Sequence, residues 1–236
     1  KRDLPPSLSS IAITLALIVV PVLLIAKEPD LGTSLLVAAS GIFVLFLAGL
    51  SWRLIASAAA LAVPLVAFAW NFLLHDYQRT RVLTLFNPEA DVQGAGWNII
   101  QSKTAIGAGG LTGKGYLEGT QSHLHFLPEG HTDFIIAAFS EEFGLLGVIL
   151  LMFIYACLLM RALYIAFSHP DVYSRLLAGA LAMSFFVYIF VNVGMVGGIL
   201  PVVGVPLPFI SYGGTAIVTL MAGFGLLMSI HTHKSS

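Results

Sequence analysis

Between Leu127 and Glu142 the chain reads LPEGHTDFIIAAFSEE. Asp133 stands at the threshold of an apolar run, and Glu141 and Glu142 lie side by side within it. Burial raises the pKa of a carboxyl group, while helix N-terminal dipoles and nearby cations lower it. A carboxylate so placed can take a proton from a hydroxyl nucleophile, which makes Asp133 a candidate general base. The same residue could instead serve as the N-cap of the helix that follows. Glu141 and Glu142 lie about 12–14 Å further along that helix. Their angular spacing lets at most one of them share a cavity with Asp133. Pairing with cations or backbone inside a bundle is the other reading for both.

Candidate anion ligands precede this stretch. Arg79, Arg81, Lys103 and Lys114 fall in one long connection. Guanidinium forks suit phosphate oxygens. The glycines of GAGGLTGKGYLEG let backbone N–H groups approach an anion, although the pattern is no P-loop. Ser211 lies in FISYGG and is a further substrate-binding candidate, but neither this motif nor the serine-bearing GTSLL at Gly32–Leu36 is a nucleophile elbow. His123 and His125 form an H-x-H pair, which can bind metal where the backbone allows. No HExxH motif supports them, and no metal ligand set is assigned.

The elements that must position these residues are membrane helices. Hydrophobic residues make up 58% of the chain and charged residues 10%, with a mean hydropathy of +0.92. Soluble domains carry about 25% charge, so lipid is the expected solvent. A net charge of −1 argues against nucleic-acid binding, and the single cysteine, Cys157, excludes an internal disulfide. Apolar stretches predict spans over 8–26, 31–50, 54–74, 134–160, 176–200 and 214–230. Lys1, Arg2, Arg53, Arg161, Arg175 and Lys234 fall on one side of this arrangement, and Lys27 alone marks the short links of the other. The positive-inside rule therefore places both ends in the cytoplasm and the connection 75–133 outside. That connection is too long and too apolar for a linker, and WNIIQSKTAI within it could form about three helical turns on the membrane surface. Gly144 and Gly147 read as a small-residue pair for close helix packing. The proline- and glycine-rich run PVVGVPLPFISYGG cannot be a regular helix, so it must be buried in protein or line a cavity.

The run from Asn192 to Ala216, NVGMVGGILPVVGVPLPFISYGGTA, resembles the signature of the SEDS family of shape, elongation, division and sporulation proteins, RodA, FtsW and SpoVE. EPDLGTS (Glu28–Ser34) and LPEGHTDFI (Leu127–Ile135) resemble two further family motifs in the expected order. VVGVPLPFISYGG is more similar to the RodA branch of Gram-negative rods than to the FtsW branch. The resemblance implies an all-α polytopic membrane protein of ten spans, of which these six would be the last, the chain being a piece of something longer. It implies a peptidoglycan glycosyltransferase of the inner (cytoplasmic) membrane that polymerises lipid II on the periplasmic face and works with a class B penicillin-binding protein. It places the catalytic aspartate at Asp133. It calls for no certain cofactor; negative charge developing on the departing pyrophosphate would be met by loop cations or by a divalent ion. A lipid II transporter or a non-catalytic scaffold would use the same spans without a general base.

Overall fold

The computed structural model describes residues 6–28, 30–72, 74–91, 94–120 and 129–233. Every regular element among them is helical. In chain order these are α1 (Leu8–Lys27), α2 (Leu31–Leu47), α3 (Trp52–Phe72), α4 (Asp76–Phe86), a 3₁₀ turn (Pro88–Ala90), α5 (Ala95–Gly109), α6 (Ile135–Ser168), α7 (Val172–Val196) and α8 (Gly214–Thr232). Five of them, α1, α3, α6, α7 and α8, are long and apolar enough to cross a bilayer. The chain is thus a polytopic helical membrane protein. At 17 residues, α2 is shorter than the roughly 20 that a perpendicular span needs. It ends at Leu47 rather than near Leu50, with Gly49 in the left-handed region at φ 87°.

Local chemistry sets the helix starts. Asp30 accepts from Thr33 N at 2.9 Å and caps α2; Asp171 accepts from Ser174 N at 2.9 Å and caps α7. The cap starts α7 four residues before the apolar run at Leu176. Arg161 does not stop α6, which continues to Ser168 and gives way before Pro170, where the ring disfavours helix. Helix α7 is the centre of the bundle, packing against both α6 and α2, and α5 lies against α6. Phe185, Phe209 and Phe224 tie α7, the 197–213 strap and α8 together through ring contacts of 5.3–6.1 Å.

The long helix α6 is broken at Gly144, and the outer loop repairs the break. Gly144 adopts φ 64°, ψ −167° inside α6. This corrects the reading of Gly144 as a helix-packing residue. Lys114 N and Gly115 N donate to the carbonyls of Glu141 and Glu142, both at 3.0 Å. In return Leu145 N and Leu146 N donate to the carbonyls of Gly110 and Leu111, at 2.9 and 3.0 Å. Backbone groups freed by the break thus bond to a loop instead of facing hydrocarbon, the condition lipid imposes on irregular backbone. A Cβ at Gly113 would collide with Glu142 O, and one at Gly144 with Gly113 N. Both positions have positive φ.

A buried ion pair locks this clasp. Glu141 is fully buried, and its Oε1 accepts from Lys114 Nζ at 2.7 Å. Thr120 Oγ1 joins both, 2.7 Å from Lys114 Nζ and 3.1 Å from Glu141 Oε1. One of the two intrahelical acids is therefore neutralised by a cation that arrives with the glycine loop.

Two tests follow from the clasp. Gly144→Ala should destabilise the fold by roughly 1–3 kcal/mol through strain at positive φ. Gly107→Ala, in α5 with open space around it, should be neutral or stabilising. Thermal unfolding in detergent compares the two. Lys114→Ala takes the cation from the buried Glu141 carboxylate and should cost up to about 3–5 kcal/mol, whereas Lys114→Met with Glu141→Gln should recover much of it. Equal losses for the single and double variants in the same assay would contradict a coupled pair.

Candidate functional site

The turn before α6 carries Asp133, and its backbone is held from outside its own helix. Three successive carbonyls accept bonds from distant residues. His131 O accepts from Tyr212 N at 2.9 Å, Thr132 O from Ser211 Oγ at 2.5 Å, and Asp133 O from Asn192 Nδ2 at 2.8 Å. Asn192 is fully buried at the level of the strap and also donates to Val205 O at 2.6 Å. Ser211 Oγ in turn accepts from Leu207 N at 2.7 Å. Tyr155 of α6 donates to Pro208 O at 2.6 Å, fastening the strap to the helix that Asp133 precedes. Phe134, next in sequence, is buried and anchors the turn in the core.

With its backbone fixed, the Asp133 side chain is left available. The N-cap of α6 is Phe134, and no side chain caps it. The capping alternative for Asp133 therefore fails. Among the described residues nothing donates a hydrogen bond to the Asp133 carboxylate. Burial pushes this carboxyl above the usual carboxylate range, and the negative charge of Glu129 pushes it further. A carboxylate that is half desolvated and has no hydrogen-bond donor is a stronger proton acceptor than a solvated one. Gly204, in the left-handed region at φ 76°, passes beside it, and a Cβ there would lie 3.3 Å from Asp133 Oδ2. Gly204 also lines a cavity of about 310 Å³ between the strap, α2, α7 and α8, walled on its polar side by Thr33, Tyr188, Ser211 and Thr215.

The remaining candidates divide. Lys114 is held by Glu141 and Thr120. The Ser211 hydroxyl donates to one backbone group and accepts from another, so it splices the strap to the turn. Arg79 makes a 3.7 Å ion pair with Asp76 and donates to Asn71 O at 3.2 Å. Arg81 lies 5.9 Å above the Tyr77 ring. Both belong to α4, and no described contact joins them to Asp133. Lys103 leans over Gly198, close enough that a Cβ there would meet its Cε at 2.5 Å. Ser102 beside it bonds Val196 O at 3.0 Å and ties α5 to the end of α7. Lys103 is thus one loop cation set near the strap without an ion pair among the described residues. His123 and His125 lie outside the described residues. Among the described residues no group of three or more His, Cys, Asp or Glu side chains could hold a metal ion.

Two features of the site escape sequence reasoning. Asn192 was legible only as part of a motif, and its grip on Asp133 O spans 59 residues. Gly204 has the clearer signal, because a glycine between prolines in a buried strap invites a positive φ.

A family model covering FtsW, RodA and SpoVE, described as "Cell cycle protein", matches residues 1–236. The chain is 60% identical over 234 residues to the peptidoglycan glycosyltransferase MrdB of Escherichia coli K12, covering 99% of this chain and 63% of that protein. It is 44% identical over 162 residues to the peptidoglycan glycosyltransferase RodA of Treponema pallidum, covering 69% and 37%. A solved structure described as "Structural coordination of polymerization and crosslinking by a peptidoglycan synthase complex" superposes with a TM-score of 0.83 at 31% identity, covering all of this chain and 65% of that one. The Thermus thermophilus rod shape determining protein RodA superposes with a TM-score of 0.65 at 27% identity, covering 98% and 59%. The chain therefore spans less than two thirds of the length of these relatives, and with the family model matching it from end to end it belongs to the FtsW, RodA and SpoVE family.

Proposed function

We propose that this chain forms the catalytic portion of a peptidoglycan glycosyltransferase that polymerises lipid II for cell elongation. The observation that carries this reading is Asp133: backbone fixed by three external bonds, side chain half-buried and without a donor among the described residues, next to a cavity-lining glycine. Asp133 accepts the proton of the sugar 4-hydroxyl of one lipid II. That oxygen forms a bond to the anomeric carbon of the growing chain as the bond to its lipid pyrophosphate breaks. The pyrophosphate leaves with the bonding electrons. The negative charge that gathers there is met by cations, for which Lys103 and Arg81 are the loop residues free of ion pairs among those described. Glu129 and Asp133 are too few to hold a divalent ion alone, so such an ion would draw its other ligands from substrate phosphate and water.

The basic residues Arg53, Arg161 and Arg175 mark the end of the bundle away from Asp133. The positive-inside rule puts that end in the cytoplasm and Asp133 on the outer face of the inner membrane. Polymerisation is coupled to crosslinking through a class B penicillin-binding protein; the similarity to a solved polymerising and crosslinking synthase complex supports this partner.

Glycan formation from lipid II by the intact protein in detergent tests the assignment. Asp133→Asn should lower it by about 10²–10⁴-fold. It should leave unfolding temperature unchanged or raised, because a carboxyl whose folded pKa is raised loses folded-state stability as pH climbs through that pKa. Normal polymer yield from this variant would remove Asp133 from the reaction. Glu129→Gln takes away the negative charge that raises the Asp133 pKa, so the base stays ionised to lower pH. The acid limb of the pH–rate profile should move toward lower pH; an immobile limb would show that another group controls it. Gly204→Ala should press on Asp133 Oδ2 and reduce turnover by about 10²-fold, as small displacements of reacting groups do. The reading is contradicted if Gly204→Ala leaves the rate untouched in that assay.

A further inference from the structure

At the end of the bundle opposite Asp133, α6 and α8 diverge around a second cavity of about 300 Å³. Leu158, Ile165, Phe224 and Leu227 give it apolar walls, and Arg161 and His231 supply charge and polarity. Arg161 lies 161 − 133 = 28 residues beyond Asp133. At 1.5 Å per residue that is at most about 42 Å, the thickness of a bilayer with its headgroups. That reach is enough to bring the guanidinium toward the opposite membrane boundary, with the cavity beside it on the apolar faces of α6 and α8.

Among the described residues the polar groups here offer more donors than they meet acceptors. Arg161 carries five N–H donors and no acceptor. Among the described residues no carboxylate lies within ion-pair distance of it. One nitrogen, Nη2, lies 3.0 Å from His231 Nε2. Because a guanidinium cannot accept, Nε2 accepts and the ring hydrogen sits on Nδ1. That Nδ1 is buried and has no partner among the described residues. Tyr164 lies beneath the guanidinium, 5.4 Å from ring centroid to Cζ, and holds its plane. An ion-pair-free arginine and an unanswered imidazole N–H call for an anion. The cavity beside them, walled by Leu158, Ile165, Phe224 and Leu227, has the chemistry to take a hydrocarbon chain.

We propose that this pocket is a binding site for an anionic phospholipid, its phosphate held by Arg161 and His231 and an acyl chain lying between α6 and α8. Basic pockets between membrane helices bind acidic lipid headgroups in this way. The site is separate from the Asp133 turn and does not depend on the reaction assigned there. On the orientation given above it faces the cytoplasmic leaflet, where it would hold α8, and with it the end of the strap, against α6.

The test is native mass spectrometry of the intact, delipidated protein with phosphatidylglycerol or phosphatidylcholine of identical chains. Phosphatidylglycerol should be retained in preference. Arg161→Gln should reduce that retention at least about tenfold, and Arg175→Gln, a basic residue of the same face, should leave it unchanged. Leu158→Trp keeps the charge but fills the cavity, and it should also lose the lipid. Each variant is first shown to be monodisperse; if Arg161→Gln is not, Leu158→Trp decides alone. Equal retention of the two lipids, retention by a monodisperse Arg161→Gln or by Leu158→Trp, or an equal loss with Arg175→Gln would overturn the proposal. Displacement of phosphatidylglycerol by inorganic phosphate alone would do so too, since it would mean that the chain contributes nothing.

Discussion

Inside a bilayer a backbone N–H or carbonyl that leaves its helix has no water to turn to, and the whole site is arranged around that constraint. The chain departs from regular helix at two places near α6, at the turn carrying Asp133 and at Gly144. Each departure is answered by another irregular segment. The 197–213 strap and Asn192 hold the carbonyls of His131, Thr132 and Asp133. The Gly110–Gly115 loop fills the break at Gly144. The backbone of Asp133 is thereby fixed at one end of a short helical segment whose other end is fixed by the loop. Its side chain needs no structural partner and has none among the described residues. This is the separation a general base requires: a rigid main chain and an uncommitted oxygen.

The two fixings differ in kind. At the turn, neutral hydrogen bonds suffice, because the groups are carbonyls and the donors are an amide, a hydroxyl and a backbone N–H. At Gly144 a buried charge is also present, and a lone carboxylate at that depth would cost several kcal/mol. Lys114 meets this charge at 2.7 Å, and Thr120 shares it. The glycine loop brings the cation and the backbone donors together, so removing any one part exposes the others. The four loop cations are therefore not equivalent. Lys114 serves the fold, Arg79 and Arg81 make local contacts within α4 and with the end of α3, and Lys103 alone leans on the strap.

Much of this was legible from the sequence, for reasons that differ residue by residue. Apolar runs of span length announce membrane helices because lipid tolerates little else. Asp133 stood out because an acid bordering such a run is expensive unless it has a task. PVVGVPLPFISYGG declared itself irregular through its prolines, and its burial followed from the lipid rule. What could not be read was which irregular segment answers which. Lys114 and Ser211 have the residue types of ligands, and only the coordinates show their donors and acceptors already engaged. Gly144 carries no mark that separates a helix break from a packing notch. The bonds that decide these cases join residues 27 to 79 positions apart and leave no periodic signal.

The fold holds Asp133 half out of water, and among the described residues nothing donates to its carboxylate. Isotope-edited infrared titration of the intact protein, with Asp133→Asn subtracted, reads the protonation of that one group. The expected result is a carboxyl band that persists to higher pH than for a solvated aspartate. A band that disappears at or below the usual aspartate pKa would show a solvated or hydrogen-bonded carboxylate and would contradict it.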